Sequence, residues 1–510
     1  MTDTLEARRE LLRRRRARRL GTSDTSQSLP VGTPEASSGQ SLGAAERRMW
    51  RIHQLDPESV SHNITLLLRG DGRSAQQLIV GIESTIAGAA VLSSTIAVVD
   101  DEPRREPATT TGRWIEPGGL WALGGGTVGE GIGAQATASA LARTPFDLTR
   151  EAPVRARVFG SDDGPVEVVL SFHHLAVDDT SWPLLLGSML RGGLDADSRL
   201  ARSRYVDSAS ASPTLDHRPT RSTDAEPVDY RLTRSTDAEP VDRLPLAVEH
   251  ARETWAAPGI RFPLSDELPS TTPEQSWLVP LDEAPGQQLR RDLDPGDLAA
   301  FAAYAPTIGG TANAALIALT ALTVSALTGA YDHVLLVPAD NRRPEQAPDL
   351  VGYCGNIIPI RFTFDPDGTV DDAMRAGLAS IYAAMTYADV DFGSVLTALR
   401  RSGGRFPVVE IMGSVRNAPM RGIPVPDGVT VDYRSVSCGI APYPMTLAIE
   451  LADDGSAHLE VDCQLGTGEV IAERAVAAVT DLLHQIPPAA HEPLAALLAN
   501  AGIAPASPQQ

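Results

Sequence analysis

The chain has 510 residues, with 44 Lys and Arg against 65 Asp and Glu, for a formal net charge of −21. That surplus of negative charge excludes nucleic acid and anionic membrane as partners for the body of the protein, because both are held by Lys and Arg. The length exceeds what one hydrophobic core fills, so two core domains of roughly 200 residues each are expected.

The chain opens on a basic stretch, residues 1–20, in which Arg8, Arg9, Arg13 to Arg16, Arg18 and Arg19 outweigh Glu6 and Glu10; the helix formers around them predict a helix. A basic helix on an acidic protein is either a solvated tail or a docking segment for an acidic partner. Residues 21–40 are a Ser/Thr/Gly/Pro linker, expected to be disordered. A first globular segment then runs over 41–205. It has helical spacing in AAERRMWRIHQL and AQQLIVGIESTIAGAA, a strand in HNITLLLRG, and a hairpin from VRARVFG through SDDG to PVEVVLSF, followed by a helix in SWPLLLGSMLRGG. RSTDAEPVD occurs at 221–229 and again at 234–242, inside a polar stretch, 206–245, that cannot bury a core and reads as a disordered insertion. The second globular segment, 246–495, carries a long apolar helix in TANAALIALTALTVSALTGA and strands in DHVLLVPA, MTLAIEL and AHLEVDCQL; a disordered tail, 496–510, is expected after it. Helix and strand alternate irregularly in both halves, which predicts two layered α/β domains.

Cys354, Cys438 and Cys463 are too few and too scattered for a disulfide framework and fit a reducing compartment. No apolar leader and no stretch of roughly 18 apolar residues is present, so a cytoplasmic location, no membrane partner and a monomer are expected.

The stretch VVLSFHHLAVDDTSW, residues 168–182, leads a β-branched run into two adjacent histidines and, three residues on, two adjacent aspartates. Alternation along a strand puts His173 and His174 on opposite faces, so one of them can reach a common pocket. Spacing alone leaves a structural and a catalytic reading open. Zinc needs three converging ligands, and no third His or Cys is near in sequence; a strained G-x-S-x-G serine elbow is missing too. Acid/base work by a neutral imidazole remains.

Here the sequence resembles the condensation domains of nonribosomal peptide synthetases, within the wider group related to chloramphenicol acetyltransferase. Their His-His-x-x-x-Asp-Gly signature stands as His173, His174, Leu175, Ala176, Val177, Asp178, Asp179. LGAAERRMWRIHQLDPESVSHN resembles the family's opening helix, with Arg48, Met49 and Trp50 at its Arg-Leu-Trp positions, and LARTPFDLTREAPVRARVF resembles its Pro-Phe-Asp-Leu segment. PADNRRPEQAPDLVGYCGNIIPIR resembles the later Gly-Arg and Val-Gly-x-x-x-Asn segment, with Arg342, Gly352, Asn356, Pro359 and Arg361 at its fixed positions. The segments occur in the family's order over about 41–490.

The resemblance implies two chloramphenicol-acetyltransferase-like α/β sandwich subdomains in a V, with a tunnel between them. It implies His174 as the catalytic imidazole facing that tunnel, His173 as a packing residue, Asp178 pairing with Arg342 to fix the loop, and Ser181, Asn356 and Pro444 along the tunnel. Asp179 stands where the signature has glycine; aspartate tolerates left-handed dihedrals better than most residues. The implied reaction joins a carrier-bound acyl or aminoacyl thioester to an acceptor amine, giving an amide. An ester from a hydroxyl acceptor and a non-catalytic recruitment module are the alternatives. The implied partners are carrier proteins, met in trans by a free-standing enzyme, together with a small-molecule or carrier-bound acceptor; the phosphopantetheine arm belongs to the carrier, and no cofactor of the protein's own is expected.

Overall fold

The computed structural model describes residues 40–108, 113–116, 120–123, 133–160, 165–192, 243–256, 284–342, 351–401, 411–423, 425–465 and 469–501. The basic stretch at 1–20 and both copies of the direct repeat lie outside the described residues.

In the first half the chain forms β1 (Gln40–Ser41), α1 (Ala44–Leu55), β2 (Asn63–Asp71), α2 (Ala75–Gly88), β3 (Ser94–Val99), β4 (Glu102–Pro107), β5 (Arg113–Glu116), β6 (Leu120–Leu123), α3 (Ala134–Ala142), β7 (Val154–Phe159), β8 (Val166–His173) and α4 (Trp182–Arg191). The second half contributes α5 (Leu244–Trp255), β9 (Ala284–Leu293), α6 (Pro295–Tyr304), α7 (Ala312–Thr328), β10 (Asp332–Asp340), β11 (Gly355–Thr363), α8 (Val370–Met385), α9 (Phe392–Arg401), β12 (Ile411–Asn417), β13 (Thr430–Val436), β14 (Ile440–Ala441), β15 (Met445–Leu451), β16 (Ala457–Gln464), α10 (Glu469–Gln485) and α11 (Leu494–Asn500).

The first half is built on a sheet in the order β13-β2-β8-β7-β6-β5, and the second on a mixed sheet in the order β11-β10-β12-β15-β16-β9-β14. In β2, β7 and β8 the residues Leu66, Leu68, Val154, Ala156, Val158, Val168 and Leu170 pack against Leu78, Ile82 and Ile86 of α2 and Trp182, Leu185 and Leu186 of α4. Helices α2 and α4 approach so closely that a Cβ on Gly81 would lie 2.1 Å from the Met189 carbonyl oxygen, and this position therefore requires glycine. The opposite face of the sheet is covered by Ala134, Ala138 and Leu141 of α3, against Val169.

The second core forms around α7, the long apolar helix. Its buried residues lie on every side, among them Ala315, Leu319, Ala321, Leu322 and Val324, so it is a core helix enclosed by α8, α10 and the sheet. Among the described residues no single helix is long and apolar enough to cross a membrane; the apolar pair Pro295–Ile308 and Ala312–Thr328 is bent by 100° and belongs to this core.

Several expected boundaries move. Residues 430–436 belong by sequence to the second half, yet β13 runs antiparallel to β2, with Tyr433 opposite Leu68, and extends the first half's sheet. An edge strand presents unpaired backbone groups wherever a partner can reach it, so a local reading of the chain cannot assign it to a half. The expected linker ends one residue early, because Gln40 already pairs with Arg105 across β1 and β4. Helix α5 begins at Leu244, inside the stretch read as disordered, and buries Ala247, Val248 and Ala251 against Val395 and Leu399 of α9. Helix α11 occupies the start of the expected tail, where Leu494, Leu497 and Leu498 complete the second core.

Candidate active site

Strand β8 ends at His173, and the next residues turn sharply: His174 N–H donates to the His62 carbonyl at 2.8 Å and Ala176 N–H to the His173 carbonyl at 2.9 Å. The two histidines then part. His173 is 2% exposed, held edge-on to His53 and Phe146 with ring centroids 5.3 and 6.0 Å away, and its Nδ1 accepts the Leu175 N–H at 3.1 Å. Burial comes first among the causes that push its pKa well below the ordinary value, followed by His62, so it stays a neutral packing group. His62 is pushed down to about 3 by burial, then by His174 and His53.

The residues around His173 explain why the family-like segments are needed. Trp50 of α1 stacks on His53, with centroids 5.5 Å apart. Phe146 of the Pro-Phe-Asp-Leu segment lies under the Arg155 guanidinium, 3.9 Å from ring centroid to Cζ, while Arg155 donates to the carbonyls of Thr144 and Pro145 at 2.8 and 2.7 Å. A buried guanidinium is stable only when its donors are used, and here they fix the segment that wedges His173 in place.

His174 is half-buried. Its Nδ1 lies 2.7 Å from the Val177 carbonyl oxygen. A carbonyl only accepts, so the proton sits on Nδ1, and Nε2 of the neutral ring carries a lone pair. Among the described residues no hydrogen bond reaches Nε2. The Tyr353 ring stands against the imidazole at 4.9 Å, tilted 67°. A ring fixed in its tautomer by one carbonyl, with the second nitrogen open, can take a proton from a bound group.

Asp178 and Arg342, 164 positions apart, meet as a bidentate pair: Nη1 donates to Oδ2 at 2.7 Å and Nη2 to Oδ1 at 2.5 Å. Cys354 N–H adds a bond to Oδ2 at 2.9 Å and Ser181 Oγ one to Oδ1 at 3.0 Å. Four donors occupy this carboxylate, which leaves it no proton-transfer role. Arg342 also donates to the Gly352 carbonyl at 2.9 Å. Burial alone would lower the Arg342 pKa, but the charge and hydrogen bonds of Asp178 more than offset it and hold the group charged. Thr180 makes a second link between the halves, donating to Asp340 Oδ2 at 3.0 Å. Burial pushes the Cys354 thiol up to about 12, so it remains a thiol at neutral pH.

Two residues expected along the tunnel are buried and engaged in hydrogen bonds to neighbouring groups. Ser181 is fully buried within the Asp178–Arg342 network, where its Oγ also accepts the Gly352 N–H at 3.3 Å. Asn356 is 3% exposed and its amide is spent on neighbouring chain: Nδ2 donates to the Ala388 and Val390 carbonyls, both at 2.8 Å, and Oδ1 accepts the Phe392 N–H at 3.1 Å. It fastens the 388–392 loop. Arg48 of α1 bonds the Gly355 carbonyl at 2.6 Å and pairs with Asp391, stitching the opening helix to β11. Arg361 pairs with Asp332 at 2.6 Å, binding β11 to β10. Pro444 is half-buried just before β15.

Asp179 does not use a left-handed conformation. It opens a 3-10 turn, Asp179–Ser181, and the non-glycine residues with positive φ among those described are Asp100 and Asp101 of the β3–β4 hairpin. Glycine's freedom is not needed there, so any side chain fits the backbone. The carboxylate is accessible to solvent, yet enclosure by protein is the first cause raising its pKa, with Arg416 and His174 opposing and Asp178 and Glu450 adding to the rise.

Tyr353 and Arg416 were not singled out from sequence. Tyr353 lies inside the quoted VGYCGN. Arg416 belongs to a polar sheet face whose signal is the alternation in SAHLEVDCQ and in MTLAIEL, where acidic residues interleave with apolar ones.

Sheet order, crossover strand and histidine turn together define a class of scaffold. The chain has the condensation-domain fold, two chloramphenicol-acetyltransferase-like α/β subdomains. It superposes on the first condensation domain of the calcium-dependent antibiotic synthetase, solved with a substrate analogue, at a TM-score of 0.61 and 17% identity, covering 90% of this chain and 98% of that one. In sequence it is similar to a probable non-canonical nonribosomal peptide synthetase of Salinispora arenicola, 23% identical over 84% of this chain and 5% of that protein. It is also similar to the AMB antimetabolite synthetase of Pseudomonas aeruginosa, 26% identical over 83% of this chain and 31% of that protein. The chain thus spans less than a third of the length of either relative. No family model matches it.

Proposed function

We propose that this protein catalyses acyl transfer from a carrier-bound thioester to an acceptor amine, with His174 Nε2 as the group that receives the amine's proton. The observation that carries the reading is the bond from His174 Nδ1 to the Val177 carbonyl at 2.7 Å, which leaves Nε2 of this half-buried ring with a lone pair and no hydrogen-bond partner among the described residues. The likeness of the fold to condensation domains supports the same chemistry. An ammonium cannot attack a carbonyl. The amine must arrive as, or become, the free base before the C–N bond forms, and the C–S bond then breaks to release a thiol that takes up the proton. A thiolate, with a pKa near about 8.5, leaves without strong acid assistance. The base supplies typically about 10²- to 10⁴-fold, and the remainder comes from holding the two substrates together. Asp178 and Arg342 act through position, by fixing the turn that carries His174.

The test supplies an acyl group on a separate carrier protein, with an amine in one arm and an alcohol in the other, and reads the product by intact mass. Amide formation that depends on the protein supports the reading. Ester in the alcohol arm alone replaces the acceptor class, and no product in either arm, with the carrier loaded and the protein folded, overturns it.

A further inference from the structure

Among the described residues a single hydrogen bond, from Nδ1 to the Val177 carbonyl at 2.7 Å, holds the His174 imidazole. Rotation of a histidine ring about Cβ–Cγ is broad and roughly two-fold, so the backbone does not choose between this orientation and the one turned over, in which Cδ2 faces the carbonyl. A group packed against the ring has to choose.

That group comes from the other half of the chain. Tyr353 is 8% exposed and sits among first-half residues, in an apolar cluster with Leu42, Met49, Trp50, Phe146 and Leu175. Its ring centroid is 4.9 Å from that of His174, with the planes inclined at 67°, so that one ring presents its edge to the other. Both residues beside it in the chain are tied into the Asp178–Arg342 network. Gly352 N–H donates to Ser181 Oγ at 3.3 Å, and its carbonyl accepts from Arg342 at 2.9 Å. Cys354 N–H donates to Asp178 at 2.9 Å, and its carbonyl accepts the Asn341 N–H at 3.1 Å. The network that fixes the turn carrying His174 therefore also fixes the segment carrying Tyr353. On the ring's other side, a Cβ on Gly355 would lie 2.8 Å from Cε2 and 3.1 Å from the hydroxyl oxygen, so the ring lies against its own backbone and has room only because residue 355 is glycine. Arg48 of α1 holds the carbonyl of that glycine at 2.6 Å.

We propose that Tyr353 is the positioning residue of His174: its ring, clamped between the Asp178–Arg342 network and Gly355, keeps the imidazole from turning over and so holds the proton on Nδ1 and the lone pair on Nε2. This deepens the acyl-transfer reading and rests on it. Tyr353 transfers no proton and acts through the histidine. Because the two rings come from opposite halves, the orientation of the base depends on contact between the halves. An aromatic pair of this kind is worth about two- to tenfold in the population of one orientation. A turned-over ring is inactive, so Tyr353→Leu lowers kcat and kcat/KM by that same factor and leaves KM unchanged.

The test labels histidine isotopically in the full chain and reads the His174 tautomer by long-range proton–nitrogen correlation NMR at about pH 8, above the ordinary histidine range. His174→Ala assigns the signals, and far-UV circular dichroism checks that each variant is folded. The unsubstituted protein shows Nδ1 protonated. Tyr353→Phe, which keeps the ring, keeps that spectrum. Tyr353→Leu draws the two nitrogen shifts toward each other as the second tautomer gains population, and Tyr331→Leu, at the second half's core, does not. Gly355→Ala, which displaces the ring without removing it, gives the same change and stands in for Tyr353→Leu where that variant unfolds. Nε2 protonated in the unsubstituted protein, an unchanged spectrum in folded Tyr353→Leu or Gly355→Ala, or a change in Tyr353→Phe as large as in Tyr353→Leu overturns the proposal. The acyl-carrier assay separates this from its parent. A tautomer change in Tyr353→Leu with no product from the unsubstituted protein keeps the positioning and removes the transfer reading. Product formed at one kcat by both proteins keeps transfer and overturns the positioning.

Discussion

Replacing Asp178 by Ala leaves the Arg342 guanidinium, 1% exposed, without its bidentate partner. Breaking a buried pair from one side costs about 3 to 5 kcal/mol, because a charge is left in a place that water cannot reach. The structure sets the figure at the lower end, about 3 kcal/mol. Asp340 stays 3.2 Å from Nη1 on a side chain 44% exposed, and the Gly352 carbonyl stays bonded to Nη2. Arg342→Ala costs a similar amount, since Asp178 keeps only the Ser181 hydroxyl and the Cys354 N–H. The double variant removes both charges and falls short of the summed single costs by about 2 kcal/mol, the coupling of residues in direct contact. Urea unfolding followed by tryptophan fluorescence and far-UV circular dichroism measures this, with coincident transitions required before free energies are compared. Single costs below about 1 kcal/mol, or additivity within about 0.5 kcal/mol, refute the view that this pair pins the turn.

Asn356→Ala removes the amide that fastens the 388–392 loop and leaves the Ala388 and Val390 carbonyls and the Phe392 N–H without that partner. Unfolding should be easier by about 2 to 4 kcal/mol, and a loss under about 0.5 kcal/mol would show the loop held by other contacts. Asp462→Asn tests the crowded acidic face. Burial and Glu460 push the Asp462 pKa up to about 6, from 3.8, so its ionised form is disfavoured in the folded state. The stability it lends is present below pH 4 and lost as pH rises through 6, at most about 2 to 3 kcal/mol. The variant should therefore melt higher than the unsubstituted protein at pH 8 and equally at pH 4; an equal gain at both pH values contradicts the assignment.

Periodicity read the elements well where one face is apolar and one is not. The helix over Ala44–Leu55 and the hairpin through Phe159 and Val166 fall where the spacing placed them. The condensation-domain fold was legible only through ordered segments, PFDL, HHLAVDD and VGYCGN, since no single one fixes a topology. Long-range assignments failed for a physical reason. Nothing local in TVDYRSV says that it completes the other half's sheet, because its partner, β2, lies some 365 positions earlier. Ser181 and Asn356 look like tunnel residues by position in a motif, but a hydroxyl and an amide are equally suited to satisfying buried backbone, and here they do that. The charged sheet face was legible as alternation in LEVDCQ and passed over because each acidic residue, taken singly, reads as surface.

The central claim is that His174 takes a proton during acyl transfer. A single-turnover assay with a pre-loaded acyl carrier and an amine acceptor, comparing the unsubstituted protein with His174→Ala, tests it most directly once far-UV circular dichroism shows both folded. The account predicts that amide formation slows by about 10²- to 10⁴-fold, with carrier binding unchanged. A rate within about threefold of the unsubstituted protein would contradict it.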